Sequence, residues 1–249
     1  MIFIYMNDLP EKKSRLFTFK KFSLSDSHCA MKIGTDGVLL GGFASGFTSS
    51  RVLDIGTGCG LIALMIAQKS TARIHAVEID PEASLQAAEN FRNSPWYDRL
   101  QVFTCAIQDF KAPGEASYDL IVCNPPFFQN SLQSKTPERS IARHNCNLTF
   151  EVLFKSSSYL MAPGAKLIII CPSNQEMDAV NCARDENLFL THKVHIHPNP
   201  KHAAKRVICV LESEPINKVK EESMTIETNT RHHFSNTYKK LLEDYHPFL

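Results

Sequence analysis

Short unbroken apolar runs alternate with longer stretches whose apolar residues recur at helical spacing along this 249-residue chain. That alternation reads as buried strands separated by helices, the pattern of a largely parallel sheet covered on both faces. Residues 51–55, 73–78, 100–105, 118–123 and 165–171 read as strands, and Leu167-Ile168-Ile169-Ile170 has the uniform character of a central one. Helices are predicted from 61 onward, from 80 to about 93, over 149–161 and over 173–187. Asp80 serves the second as N-cap, with Pro81 at its first position, and Thr149 caps the third. Residues 188–197 and 206–212 read as two more strands, joined by a proline-containing loop. The expected fold is α/β and Rossmann-like, with a seven-stranded, mostly parallel sheet, helices on both faces and an antiparallel last strand.

The flanks read differently. Residues 16–20 alternate like an edge strand, and Lys12, Lys13, Arg15, Lys20 and Lys21 are interleaved with Phe17, Phe19 and Phe22. Such a stretch suits a phosphate backbone with exposed bases, or an edge guarded by lysines against aggregation. Thr35 and Asp36 precede a short apolar segment and read as a helix start. Residues 224–227 are strand-like, and 235–245 read as a helix. The expected organisation is a basic, aromatic extension over 1–30, a catalytic domain over 31–215, and a strand and helix over 216–249 packed on that domain.

Composition adds bounds. The formal net charge is +1, so only local clustering of charge can speak for nucleic acid. The eight cysteines are scattered, without C-x-x-C or zinc spacing, which points to free thiols in a reducing cytoplasm. No stretch reads as a signal peptide or as a membrane span. His195, His197 and His202 are not read as a metal site, because no acid or thiol stands beside them.

Candidate chemistry collects at strand ends. The strand at 51–55 runs into Gly56-Thr57-Gly58-Cys59-Gly60 and then an apolar helix. Glycines there let a backbone approach a ligand. Asp54 stands two residues before the first glycine, where it would repel a pyrophosphate and suit an ammonium; S-adenosylmethionine carries an amino group and no phosphate. Glu78 ends the second strand, where an acid accepts ribose hydroxyls. Asp109 follows the third, as an acceptor for an adenine amine or as a plain loop acid. Asn124-Pro125-Pro126-Phe127 ends the fourth. Prolines stop the strand, the Asn124 side-chain oxygen and Pro125 carbonyl offer two neutral acceptors, and Phe127 offers a ring. A planar NH2 group fits such a place. The long polar stretch 128–145 holds Arg139 and Arg143, and Lys201 and Lys205 make the loop after 197 a second basic candidate.

Taken in order, Asp54 to Gly60, Glu78, Asp109 and Asn124 to Phe127 resemble class I S-adenosylmethionine-dependent methyltransferases acting on exocyclic or amide nitrogen. With Lys32-Ile33-Gly34-Thr35-Asp36-Gly37, Asn124-Pro125-Pro126-Phe127-Phe128, Ala142-Arg143-His144 and the 235–245 tail, the chain from about Phe19 onward resembles the bacterial tRNA1(Val) (adenine-37-N6)-methyltransferase family. The resemblance implies methylation of N6 of adenine 37 in the anticodon loop, S-adenosyl-L-methionine as cofactor and tRNA as partner; from the residues themselves no metal and no membrane are expected, and no obligatory protein partner is evident. It implies Thr35, Asp36, Asp54, Gly56, Gly58, Gly60, Glu78 and Asp109 at the cofactor, and Asn124 to Phe127 at the target base. Guanine N2 of ribosomal RNA, glutamine N5 of a protein, and a non-catalytic RNA-binding role are the alternatives.

Overall fold

The inner strands of the central sheet are apolar runs whose alternate side chains face opposite helical layers. A computed structural model describes residues 16–114, 117–126 and 148–247. In chain order these form β1 (Leu16–Thr18), β2 (Ser23–Ser25), α1 (Thr35–Ala44), β3 (Arg51–Ile55), α2 (Leu61–Lys69), β4 (Arg73–Glu78), α3 (Pro81–Arg92), β5 (Leu100–Thr104), β6 (Tyr118–Cys123), α4 (Phe150–Leu160), β7 (Met161–Pro172), α5 (Glu176–Asp185), β8 (Phe189–His197), β9 (Arg206–Glu212), β10 (Lys220–Thr225) and α6 (Asn236–Leu242). Among the described residues no helix is long and apolar enough to cross a membrane.

The main sheet runs β10-β8-β9-β7-β6-β3-β4-β5. All neighbours are parallel except β9, which lies antiparallel to both β7 and β8. The sheet therefore has eight strands rather than seven: β10 adds itself parallel to β8 at the edge. Its sequence, Lys220-Glu221-Glu222-Ser223, is polar because that edge is exposed, so apolar patterning does not reveal it. The hairpin β1–β2 is a separate two-stranded sheet and not an edge of the main one.

Two cores result. Val52, Ile74, Val122 and Ile168 face α1, α2, α3 and α6, while Leu53, Val77, Ile121 and Ile169 face α4 and α5. The β7 strand begins at Met161, earlier than its apolar run, because Pro163 and Gly164 are absorbed in a register shift between Tyr118 and Leu120 of β6. The C-terminal segment closes the first core. Leu242 packs against Gly42, and the Tyr245 hydroxyl donates to the Met65 carbonyl at 2.9 Å. The Lys20 amide donates to the Tyr245 carbonyl at 2.8 Å, tying the hairpin to the same segment.

The chain steps outward from β3 to β4 and β5, then returns to β6 on the other side. The crevice at the carboxyl ends of β3 and β6 is thus the switch point where such sheets bind ligands.

Candidate active site

The glycine turn is built by backbone geometry. Gly56, Gly58 and Gly60 all have positive φ, at 69°, 56° and 86°. The Gly56 and Thr57 amides donate to the Val77 carbonyl, at 2.8 and 3.1 Å, which draws the turn over the end of β4. A Cβ at Gly60 would lie 2.4 Å from Phe91 Cε1, whereas one at Gly58 would meet nothing within 4 Å. Gly60 is therefore demanded by packing as well as by φ, and Gly58 faces open space. Between them, the Cys59 and Cys29 thiols hydrogen-bond; that contact pushes Cys59 up and Cys29 down from the ordinary thiol range. The Asn90 amide donates to the carbonyls of Cys59 and Ser25, both at 2.8 Å, so α3 holds the turn and the end of the hairpin together.

Asp54 lies beneath this turn, fully buried. Its Oδ2 accepts from the Thr57 hydroxyl at 2.6 Å and the Ala63 amide at 3.2 Å, while Oδ1 has no hydrogen-bond partner among the described residues. Burial raises its pKa to about 7 against the pull of those two bonds, and the nearby Glu78 charge adds to the rise. The sequence reading hands Asp54 to a ligand cation; in the structure its bonded oxygen shapes the turn from below.

Glu78 ends β4. Its Oε2 accepts from the Gly58 amide at 2.8 Å and its Oε1 from the Asp80 amide at 3.0 Å. Asp80 itself caps α3 by accepting from the Glu82 amide at 2.9 Å. An ionised carboxylate has about four lone-pair sites, so each Glu78 oxygen keeps acceptor capacity for a ligand hydroxyl.

Asn124 follows β6 directly. Cys123 registers with Ile55, so Asn124 and Gly56 emerge side by side from neighbouring strands about 4.8 Å apart. Asn124 is partly exposed, yet its Oδ1 is buried, without a hydrogen-bond partner among the described residues. Leaving such an acceptor unmet costs about 1–3 kcal/mol, a cost that a bound N–H donor would remove. Pro125 is buried behind it. Phe127, Lys12, Lys13, Arg15, Arg139 and Arg143 lie outside the described residues.

Along the carboxyl edge the order is Asn124, the glycine turn, Glu78 and Asp109, from β6 through β3 and β4 to the loop after β5. Asp109 is exposed on a short 3-10 turn, Ile107–Asp109. Thr35 and Asp36 occupy the first turn of α1, but the N-cap is Gly34, with no side-chain capping bond. The Asp36 carboxylate is engaged elsewhere: its Oδ2 accepts from Arg206 Nε at 2.8 Å. Lys20 and Lys21 are exposed at the hairpin turn, and Lys201 and Lys205 on the β8–β9 loop. Within that loop His197 Nδ1 lies 3.0 Å from the His202 carbonyl, and His202 Nδ1 lies 2.7 Å from Asn199 Oδ1. Among the described residues no three His, Cys, Asp or Glu side chains are grouped to hold a metal. A cavity of about 540 Å³ lies between the hairpin and α3, lined by Phe19, Lys21, Gln86 and Asn93 among others; none of the carboxyl-edge residues lines it.

Sequence reasoning missed Thr57, Asn90 and the role of Arg206. Thr57 sits inside the glycine motif and could have been read as the partner of Asp54, three residues away. Asn90 and Arg206 reach their partners over 31 and 170 residues, a separation that leaves no local signal.

The family model described as Methyltransferase small domain matches residues 27–194. A curated relative in Parabacteroides distasonis, named tRNA1(Val) (adenine(37)-N6)-methyltransferase, is 40% identical over 230 residues, covering 92% of this chain and 97% of that protein. One of the same name in Musicola paradisiaca is 36% identical over 239 residues, covering 95% and 96%. Among solved structures, a predicted O-methyltransferase from Agrobacterium tumefaciens aligns with a TM-score of 0.63 at 17% identity, over 84% of this chain and 96% of that one. P. horikoshii TYW2 in complex with MeSAdo aligns with a TM-score of 0.58 at 14% identity, over 82% and 73%. These two share the fold. The sequence relatives carry the assignment: the chain belongs to the tRNA1(Val) (adenine(37)-N6)-methyltransferase family, within the Methyltransferase small domain group.

Proposed function

We propose that this protein transfers a methyl group from S-adenosyl-L-methionine to N6 of adenine 37 in the anticodon loop of tRNA1(Val). The observation that carries the reading is the unpartnered Asn124 Oδ1 beside the glycine turn at the switch point of the sheet. The residues present fit the donor. Gly58 opens onto space that no described side chain fills, Glu78 keeps acceptor capacity toward a ribose, and exposed Asp109 can accept from an adenine amine. Thr35 and Asp36 stand at the start of α1, which abuts the start of α2. When bound, the donor supplies an electrophilic methyl on a sulfonium.

The chain's own residues do the rest. The N6 lone pair of adenine is delocalised into the ring and is a poor nucleophile. Asn124 Oδ1 accepts one N6–H and the Pro125 carbonyl the other. Both acceptors favour a pyramidal nitrogen whose lone pair points at the methyl, so they bind the transition state better than the flat ground state. Phe127 stacks on the target base, worth roughly 1–3 kcal/mol. A loop base is cheaper to splay out than a paired one. The amine proton leaves to solvent after transfer, so no strong base is needed. Lys12, Lys13, Arg15, Lys20, Lys21, Arg139, Arg143, Lys201 and Lys205 meet RNA phosphates in this reading. Residues 31–215 form the catalytic domain, flanked by 1–30 and by 216–249, and the enzyme works in the cytoplasm without an obligatory protein partner.

The test is incubation with methyl-labelled donor and total tRNA from a strain lacking the modification, followed by nucleoside analysis. Label in N6-methyladenosine at the expected position supports the reading. Label only in methylguanosine, or only in protein, overturns it.

A further inference from the structure

Arg206 begins β9 at the same sheet edge that carries the site. It registers with Pro172, the last residue of β7, because β9 runs antiparallel. One residue earlier the chain is in the β8–β9 loop, where Lys201 and Lys205 are exposed. The foot of that loop is held tightly. The Lys205 amide donates to the Ile196 carbonyl at 2.9 Å, and the Lys205 carbonyl accepts from the Ser173 amide at 3.2 Å and from Arg206 Nη1 at 3.0 Å. Arg206 Nε then crosses to Asp36 Oδ2 at 2.8 Å.

Asp36 is in the first turn of α1, where Gly34 provides no capping side chain. That turn lies close against the start of α2, which follows the glycine turn: a Cβ at Gly37 would meet Leu61 Cδ2 at 3.2 Å. A guanidinium fixed at one end to the loop foot and at the other to α1 thus spans the basic loop and the donor pocket. The Arg206 and Asp36 side chains are 33% and 22% exposed. That is covered enough for the pair to hold its geometry.

We infer that Arg206 is a positioning residue: through Asp36 it couples the basic β8–β9 loop to the start of α1, so that RNA on the loop tightens donor binding. The physical cause is ordering. Phosphates on Lys201 and Lys205 restrain the exposed part of the loop, and the bonds already in place at its foot carry that restraint through the guanidinium to the Asp36 carboxylate and the first turn of α1. Less ordering is then left for the donor to impose. Linkage requires the effect to be reciprocal, so donor tightens RNA binding by the same factor. The inference rests on the proposed RNA contacts of Lys201 and Lys205.

The test is a binding cycle. Affinity for S-adenosylhomocysteine is measured by calorimetry with and without unmodified tRNA1(Val), in the wild type and in R206Q, D36N, R206K and the K201A/K205A double variant. Thermal melting of each checks that it folds. The wild type is expected to bind the nucleoside about three- to tenfold more tightly with tRNA present, within the usual range of coupling. R206Q, D36N and K201A/K205A lose that ratio, and R206K keeps part of it. An unchanged ratio in folded R206Q, or no ratio in a wild type that binds both ligands, overturns the coupling and leaves the functional reading standing. A wild type that binds no tRNA overturns both.

Discussion

The two oxygens of Glu78 hold two separate backbones: Oε2 takes the Gly58 amide of the glycine turn at 2.8 Å, and Oε1 takes the Asp80 amide at the entry to α3 at 3.0 Å. One carboxylate thereby ties the turn to the entry of the helix, on the two sides of the crevice proposed to hold the donor. Glu78→Ala removes both bonds. Each hydrogen bond to a charged group is worth roughly 1.5–3 kcal/mol, so S-adenosylhomocysteine affinity should fall about tenfold or more, with a lower melting temperature. Glu78→Gln should fall between, because its amide nitrogen presents a donor to one of the two N–H groups. Titration calorimetry on both variants checks the order.

Asn124 should separate chemistry from donor binding. The residue follows β6 beside the start of the glycine turn, and among the described residues its side-chain oxygen makes no hydrogen bond to that turn. Asn124→Ala is expected to lower turnover by about two to three orders of magnitude, the scale of one lost transition-state contact. Affinity for S-adenosylhomocysteine should barely change. A single-turnover assay alongside calorimetry reads both, and a variant that turns over normally would refute the role given to Asn124.

The glycines of the turn should respond unequally. Gly60→Ala places a Cβ 2.4 Å from Phe91 Cε1 at a φ of 86°, adding overpacking of about 1–3 kcal/mol to the left-handed strain. Gly58→Ala carries strain of roughly 1–2 kcal/mol with no neighbour within 4 Å. Melting curves should show Gly60→Ala as the larger loss. Donor titrations should show Gly58→Ala weakened beyond its small stability change, since its methyl enters the open space of the crevice.

Asp54 gives the protein a pH-dependent stability. Its pKa of about 7 in the folded state stands above its usual value of 3.8, chiefly because burial penalises the charge. Between those two values the folded state holds a proton that the unfolded state has released, so this contribution is lost as pH rises toward about 7 and is level above it. The full span is on the order of a few kcal/mol. Asp54→Asn keeps an acceptor for Thr57 and cannot titrate. Melting temperatures from pH 5 to 8 should fall more steeply in the wild type than in Asp54→Asn, and parallel curves would contradict the assignment.

Patterning along the chain was enough for the strands 51–55, 73–78 and 118–123, the cap of α3 at Asp80 and the position of Asn124 at the end of β6. These are local properties: an apolar run long enough to cross a sheet, a proline that ends a ladder, a side chain that caps its own helix. The polar strand β10 was not legible as a member of the main sheet, because it joins by backbone hydrogen bonds to β8 and buries little of its own. Tertiary structure alone decided how the acids are used. Asp54 turns inward to Thr57 and Ala63, Glu78 spends one bond on each flank of the crevice, and Asp36 pairs with Arg206 from 170 residues away. The pattern along a chain records which residues prefer burial and where elements end. Which donor meets a given carboxylate depends on strands and helices brought together across the fold, and for Asp36 and Arg206 no local spacing records it.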